Sequence, residues 1–306
     1  AAAAPLLPPL GHFQADSGGN WTANYSVAGD ENFEQSTLDI INGINGEVRV
    51  SDADGDSTSV SYMVYTPWIA PSSVPLVVGI TRDLDLKHPM YYLEDWSVLN
   101  LLYEPFYRVS QADSSLIPAA ATGYTISPDS KVFTFTLRSD MLWSDGQPVP
   151  AQHYADGLLW LLDPATSPTD SGNPYASLLY DIQGAENFNK GVTTDPNTVG
   201  ITALNSTTLQ ITLARPAVHL PKVLSIPGMI PIRKDLITLY GNTWVEPANF
   251  VGNGPFTLLE HNGTHFLFGK NPNYYNASKV DFTQIGMPII PDTNEQFEAY
   301  KSGEID

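Results

Sequence analysis

Residues 131–162 leave this chain the least freedom. Residues 131–138 alternate, with Phe133, Phe135 and Leu137 on one side and Thr134, Thr136 and Arg138 on the other; this is the period-two pattern of a strand with one buried face. Ser144, Asp145 and Gly146 then make a turn, and over 151–162 Tyr154, Leu158, Leu161 and Leu162 recur at helical spacing. A strand followed this closely by an amphipathic helix rules out a fold made only of strands or only of helices.

The pattern is coarser elsewhere. Residues 1–30 mix Ala, Pro, Gly, Ser and Asn without apolar periodicity, the composition of a linker or arm. Residues 47–50 and 60–66 read as two strands of a hairpin joined by the turn-rich 51–59. That loop places Asp52, Asp54 and Asp56 at alternate positions, as a calcium loop begins. Ser57 stands where such a loop needs Gly, and Met63 where it needs its bidentate Glu, so the three are a weak metal candidate and no metal site is assigned. The apolar run 76–80 reads as a strand buried on both faces, 93–107 as a buried helix with a turn at Pro105, and 175–188 as a helix after a polar loop. Residues 207–213 form a strand, 256–259 and 266–268 a hairpin around Asn262-Gly263, 281–290 a last strand, and 294–302 a helix cut short by the end of the chain.

Composition removes whole classes of function. With 306 residues the chain is long enough for more than one core. Lys and Arg total 14 against 33 Asp and Glu, and a net charge of -19 repels phosphate backbones and anionic headgroups, so nucleic acid is excluded as a partner. Cysteine is absent, which removes disulfides, thiolate metal sites and a cysteine nucleophile. No run approaches the ~20 apolar residues that span a bilayer, so any membrane anchor lies outside this chain. Asn-x-Ser/Thr acceptors at Asn20, Asn24, Asn205, Asn262 and Asn276 point to an exported, glycosylated surface.

Enzyme readings find no support. None of His12, His88, His153, His219, His261 and His265 falls in a His-Glu-x-x-His or similar helical pair, and His261 and His265 flank a turn. There is no Gly-x-Ser-x-Gly elbow, phosphate loop or dinucleotide fingerprint, and nothing in the sequence calls for a cofactor.

Residues 124–164, with Trp-Ser-Asp-Gly at 143–146 at their centre, resemble the signature region of the family 5 extracellular solute-binding proteins, the oligopeptide, dipeptide and nickel-binding group of ABC transporters. Further blocks follow in the family's order: Asn-Pro-Tyr-Ala-Ser-Leu at 173–178, Asn-Phe-Val-Gly-Asn-Gly-Pro-Phe at 249–256, Lys-Asn-Pro-Asn-Tyr-Tyr at 270–275, and Ser-Gly-Glu-Ile-Asp at 302–306. The chain departs from the pattern at Gln152 and His153, where the family places an acidic residue after the Asp-Gly turn.

The resemblance implies an α/β lobe of the periplasmic-binding-protein type (type II, cluster C) with a smaller α/β domain inserted, and with the second lobe missing from this chain. On that basis residues 1–74 form an extension with the hairpin, 75–90 and 195–306 the core lobe (domain I), and 91–194 the inserted domain (domain II), while the opposite lobe (domain III) is absent. It implies a non-enzymatic protein outside the membrane, extracellular or periplasmic and associated with the cell surface. This protein would capture oligopeptides, or an oligosaccharide-like solute, by hinge closure and hand them to the permease subunits. Candidate ligand-binding residues are Tyr91, Tyr92 and Trp96 after the first core strand, Tyr175 in the 173–178 loop, and Asp292, Thr293 and Asn294 at the crossing to the other lobe. The rival expectation is a glycosylated surface structural protein, of an envelope layer or appendage, that retains the fold as a building block.

Overall fold

The computed structural model describes residues 70, 74–87, 96–167, 173 and 175–306, together with the backbone of short strands between residues 14 and 62. The chain divides into two units, Ala1–Thr66 and Pro67–Asp306.

In the first unit β1 (Gln14–Ala15) pairs antiparallel with β2 (Trp21–Thr22), and β3 (Asp39–Ile40), β4 (Gly46–Ser51) and β5 (Ser57–Tyr62) form a three-stranded antiparallel sheet. The β4–β5 pairing, with Val48 opposite Val60, is the expected hairpin with a longer first arm, a second arm that begins earlier, and a shorter connection. Asp52, Asp54 and Asp56 lie outside the described residues, as do Asn20 and Asn24.

The second unit opens with residues 74–87. Residues 76–80 do not form a full strand. Val77 and Ile80 make parallel bridges to Gly286 and Ile289, and the amides of Val78 and Ile80 donate to the carbonyls of Gly286 and Pro288, each at 2.9 Å. The end of the chain closes on the same segment: the Asp306 amide donates to the Val77 carbonyl at 2.8 Å, and Asp306 Oδ2 accepts from the Val77 amide at 2.9 Å.

Next comes helix α1 (Trp96–Leu102), which buries Val98, Leu99 and Leu102. It stops short of the expected 107, because Pro105 disfavours helical geometry in the residue before it and its ring cannot sit in a helix interior. Strands β6 (Tyr107–Val109) and β7 (Leu116–Pro118) form a small hairpin, and β8 (Ala121–Ile126) and β9 (Val132–Leu137) follow. On β9 the alternation holds, with Phe133, Phe135 and Leu137 buried. A tight turn with Gly146 at φ 82° leads into α2 (Ala151–Leu162), whose Tyr154, Leu158, Leu161 and Leu162 are buried as their spacing requires.

The helix expected over 175–188 is broken. Gly184 sits at φ 73°, where a Cβ would lie 2.1 Å from the Thr198 carbonyl oxygen, so only a 3-10 turn (Ala176–Leu179) and the short α3 (Ala185–Asn189) form. Strands β10 (Ile201–Asn205) and β11 (Thr208–Thr212) complete an antiparallel sheet in the order β10-β11-β9-β8, with Leu209 opposite Phe135 and Ile211 opposite Phe133. This sheet joins strands from both sides of the expected 194/195 boundary.

Short helices α4 (Leu220–Val223) and α5 (Lys234–Tyr240) lead to the second sheet, formed by β12 (Phe256–His261), β13 (His265–Lys270) and β14 (Gln284–Pro288) in that order. Its middle strand β13 is buried from His265 to Gly269. Helix α6 (Thr293–Ser302) ends by design of its own sequence: Gly303 at φ 76° forms a left-handed cap, with its amide and that of Glu304 donating back to Tyr300 and Ala299. Both sheets contribute to one continuous hydrophobic core, Phe133 and Ile211 from the first and Phe266 and Phe268 from the second.

Candidate functional site

The signature blocks meet at one buried carboxylate. Glu104 follows α1, and its side chain is fully buried. Arg108 grips it with two hydrogen bonds, Nε to Oε1 at 2.8 Å and Nη2 to Oε2 at 2.6 Å. Tyr274 Oη donates to Oε2 at 2.8 Å, and Tyr275 Oη reaches Oε1 at 3.4 Å. The backbone of Glu104 is held too: its carbonyl accepts from Tyr154 Oη at 2.8 Å and its amide donates to Asn253 Oδ1 at 3.1 Å, while Asn253 Nδ2 donates to Tyr154 Oη at 3.1 Å. A buried carboxylate is tolerated only when paired and saturated in this way.

The electrostatics follow. Burial is the largest single influence on the Arg108 guanidinium and lowers its pKa, but the hydrogen bonds to Glu104, the Glu104 charge and the neighbouring Tyr274 and Tyr275 together outweigh it and hold the pKa above the ordinary range. Burial, with the Glu104 charge adding to it, pushes the Tyr274 phenol well above its usual value, so it stays a donor. Arg138, forked on Asp140, lies 4.2 Å over the Tyr275 ring.

Neighbouring residues of the same blocks tighten the junction. Asn271 Nδ2 donates to the Gly254 carbonyl at 2.9 Å, and Asn273 Nδ2 to the Ser144 carbonyl at 3.0 Å. A Cβ on Gly254 would stand 2.5 Å from the Leu101 oxygen, which is why that position takes glycine. The junction fastens α1, α2 and the second sheet to one another. With every Glu104 polar atom engaged within the fold, the junction acts as a structural brace and not as a solute contact.

The residues expected to face ligand fare differently. Tyr91 and Tyr92 lie outside the described residues. Trp96 begins α1 and Tyr175 follows Asn173, whose Oδ1 accepts from the Tyr175 amide at 2.9 Å; both rings are half-buried against the same core. Asp292 caps α6, its Oδ1 accepting from the amides of Asn294 and Glu295 at 2.7 and 3.1 Å, with Thr293 and Asn294 exposed beside it. Asn205, Asn262 and Asn276 are exposed.

His261 stacks on Phe266 at 4.2 Å and sits 2.7 Å from Asp83, whereas His265 is buried and 3.1 Å from Glu260. Sequence reasoning passed over the Glu104 junction. Its one signal was a lone carboxylate in the apolar stretch 98–107, which has to find a cation and donors once buried.

Comparison with known proteins places this architecture. Residues 115–306 match the profile of the bacterial extracellular solute-binding proteins, family 5, and the chain belongs to that family. It is 30% identical over 212 residues to the dipeptide-binding protein DppE of Bacillus subtilis, covering 69% of this chain and 38% of the relative. It is 34% identical over 203 residues to the periplasmic oligopeptide-binding protein OppA of Escherichia coli, covering 65% and 36%. Among solved structures, the murein tripeptide binding protein MppA of Escherichia coli superposes with a TM-score of 0.70 at 26% identity, over 78% of this chain and 46% of that one. Peptide-bound OppA of Listeria monocytogenes gives 0.67 at 25%, over 76% and 45%. The chain thus spans less than half the length of the relatives it matches, and its fold is the α/β fold of the periplasmic binding proteins. Among the described residues no helix is long and apolar enough to cross a membrane.

Proposed function

We propose that this chain is one lobe of the substrate-binding component of an ABC transporter, which captures peptides by hinge closure outside the membrane and delivers them to permease subunits. The observation that supports this reading is the superposition on a peptide-bound and a tripeptide-binding relative over 76% and 78% of this chain. The Glu104 brace supplies what the mechanism needs: a hinged clamp transmits ligand binding into a fixed relation between lobes only if each lobe moves as a body.

In this reading Trp96 and Tyr175 offer ring faces along the cleft, with Tyr91 and Tyr92 beside them. Asp292, Thr293 and Asn294 lie near the crossing to the opposite lobe. The core lobe comprises residues 75–90 and the chain after β11, with the inserted domain between. Recognition rests on hydrogen bonds to the ligand's backbone, so no catalytic group is required and the protein is not an enzyme. An oligosaccharide-like solute would use the same ring faces. No observation favours the rival reading as an envelope building block.

The test is thermal unfolding of the full-length protein with di-, tri- and oligopeptide pools. A ligand at 100 times its Kd stabilises the bound state by about 2.7 kcal/mol, and a rise in Tm with at least one peptide pool is expected. A protein that responds to none of them but is stabilised by sugars would move the substrate class, and one that responds to neither would remove the transport reading.

A further inference from the structure

Two separate hairpins in this chain carry the same small device. At the β10–β11 turn, Asn205 Oδ1 accepts from the amide of Thr207 at 2.9 Å and from its Oγ1 at 3.3 Å. At the β12–β13 turn, Asn262 Oδ1 accepts from the amide of Thr264 at 3.2 Å and from its Oγ1 at 2.7 Å. In each case the threonine two residues on is itself anchored: the Thr207 carbonyl accepts from the Leu137 amide at 2.8 Å, and the Thr264 carbonyl from the Ile289 amide at 2.9 Å. The Ser206 carbonyl likewise accepts from the Ala151 amide at 2.8 Å.

The fold therefore holds each turn from behind by its carbonyls and presents the asparagine at the tip, exposed. With Oδ1 engaged locally, the Nδ2 of both side chains makes no hydrogen bond among the described residues. Both turns satisfy the Asn-x-Thr rule, and nothing in the solute-binding role uses either of them. A bulky, hydrophilic attachment at either tip would displace no packed group.

Asn276 is the internal comparison. It too is exposed and precedes Ala277-Ser278, but it makes no side-chain capping bond, the sequon hydroxyl is a serine's, and among the described residues no hydroxyl donates to its Oδ1.

We propose that Asn205 and Asn262 are N-glycan acceptor sites, modified in preference to Asn276. In the reaction Nδ2 attacks the anomeric carbon of a sugar carried on a lipid-linked phosphate. The C–N bond forms, the anomeric C–O bond breaks, the lipid phosphate leaves with the electron pair, and the amide gives up one proton. The co-reactant is thus a lipid-phosphate-linked oligosaccharide, and the product is a glycan on a solvent-exposed turn.

The test is glycopeptide mass spectrometry, with electron-transfer fragmentation, on full-length protein taken from the cells that naturally make it. Peptides containing Asn205 and Asn262 are expected to carry sugar mass, with lower occupancy at Asn276. N205D and N262D keep the Oδ1 acceptor and the turn but delete the amide, so each should abolish the sugar at its own site and leave the other unchanged; T207S and T264S should retain it. Unmodified peptides at both sites, sugar that survives N205D and N262D, or higher occupancy at Asn276 than at either would each overturn the proposal.

Discussion

The indole Nε1 of Trp143 donates a 3.0 Å hydrogen bond to Nδ1 of His153, two residues brought together because the Asp-Gly turn folds the end of one signature segment against the first turn of α2. Trp143 is fully buried. The bond requires Nδ1 to be unprotonated, so the imidazole is neutral with its proton on Nε2.

The charged groups facing His153 set the pH response. Burial lowers its pKa first and Arg233 lowers it further, while Asp156, Asp235 and Asp145 oppose them in part. A folded pKa below the unfolded value of about 6.5 means that the unfolded chain binds the extra proton first. The contribution of His153 is therefore complete above about pH 6.5 and is lost as the pH falls toward the folded pKa. Chemical denaturation from pH 7.5 to 5 should show stability declining in this window, and H153Q, which keeps an acceptor for Trp143 but does not titrate, should decline less. Identical profiles for the two proteins would rule this coupling out.

Glu104 offers the largest single effect. Replacing it by alanine strands Arg108 and Tyr274, and removing one partner of a buried pair costs about 3–5 kcal/mol. Tyr274→Phe removes one donor, at about 1 kcal/mol. Urea titration of both variants gives the comparison; an E104A protein as stable as its parent would mean that the junction is decorative.

Gly157 tests close packing rather than conformation. It lies within α2, and a Cβ there would stand 1.8 Å from the Ile230 carbonyl oxygen. In an open helix Gly→Ala stabilises by about 1 kcal/mol. Here G157A should instead destabilise by about 1–3 kcal/mol, as overpacking does, and a raised Tm would contradict the geometry.

At Asp292 two roles can be separated. Asp292→Ala should cost about 1 kcal/mol through loss of the α6 cap, whereas Asp292→Asn, which still accepts, should cost little. If both variants weaken peptide binding to the same extent while only the alanine loses stability, the carboxylate also meets the ligand.

The sequence disclosed some of this more readily than the rest. The β9–α2 unit was legible because Phe133, Phe135 and Leu137 alternate cleanly and Tyr154, Leu158 and Leu162 repeat at helical spacing. The break at Gly184 was not, because what forbids a side chain there is the carbonyl of Thr198, a contact that only folding creates. The same holds for the reach of the first sheet: β11 reads as a strand by itself, but its pairing with β9 depends on a segment lying far back in the chain. Asp292 was recognised as special, yet capping and ligand binding ask for the same residue type, so pattern alone named the position and not its job. His153 departs from the family's acidic residue, and only the position of Trp143 explains what the imidazole does there.

The clasp between Val77 and Asp306 joins residues 229 positions apart, and the bridges of Val77 and Ile80 to Gly286 and Ile289 are nearly as distant. During synthesis, the apolar run at 76–80 must therefore wait, without its partner strand, until most of the unit has left the ribosome. The β8–β11 sheet can form meanwhile, since all its strands emerge earlier. Until β14 arrives, the opening segment is a natural client for a chaperone, and nascent chains stalled before residue 284 should be cleaved there by protease, whereas chains stalled well beyond Asp306 should resist.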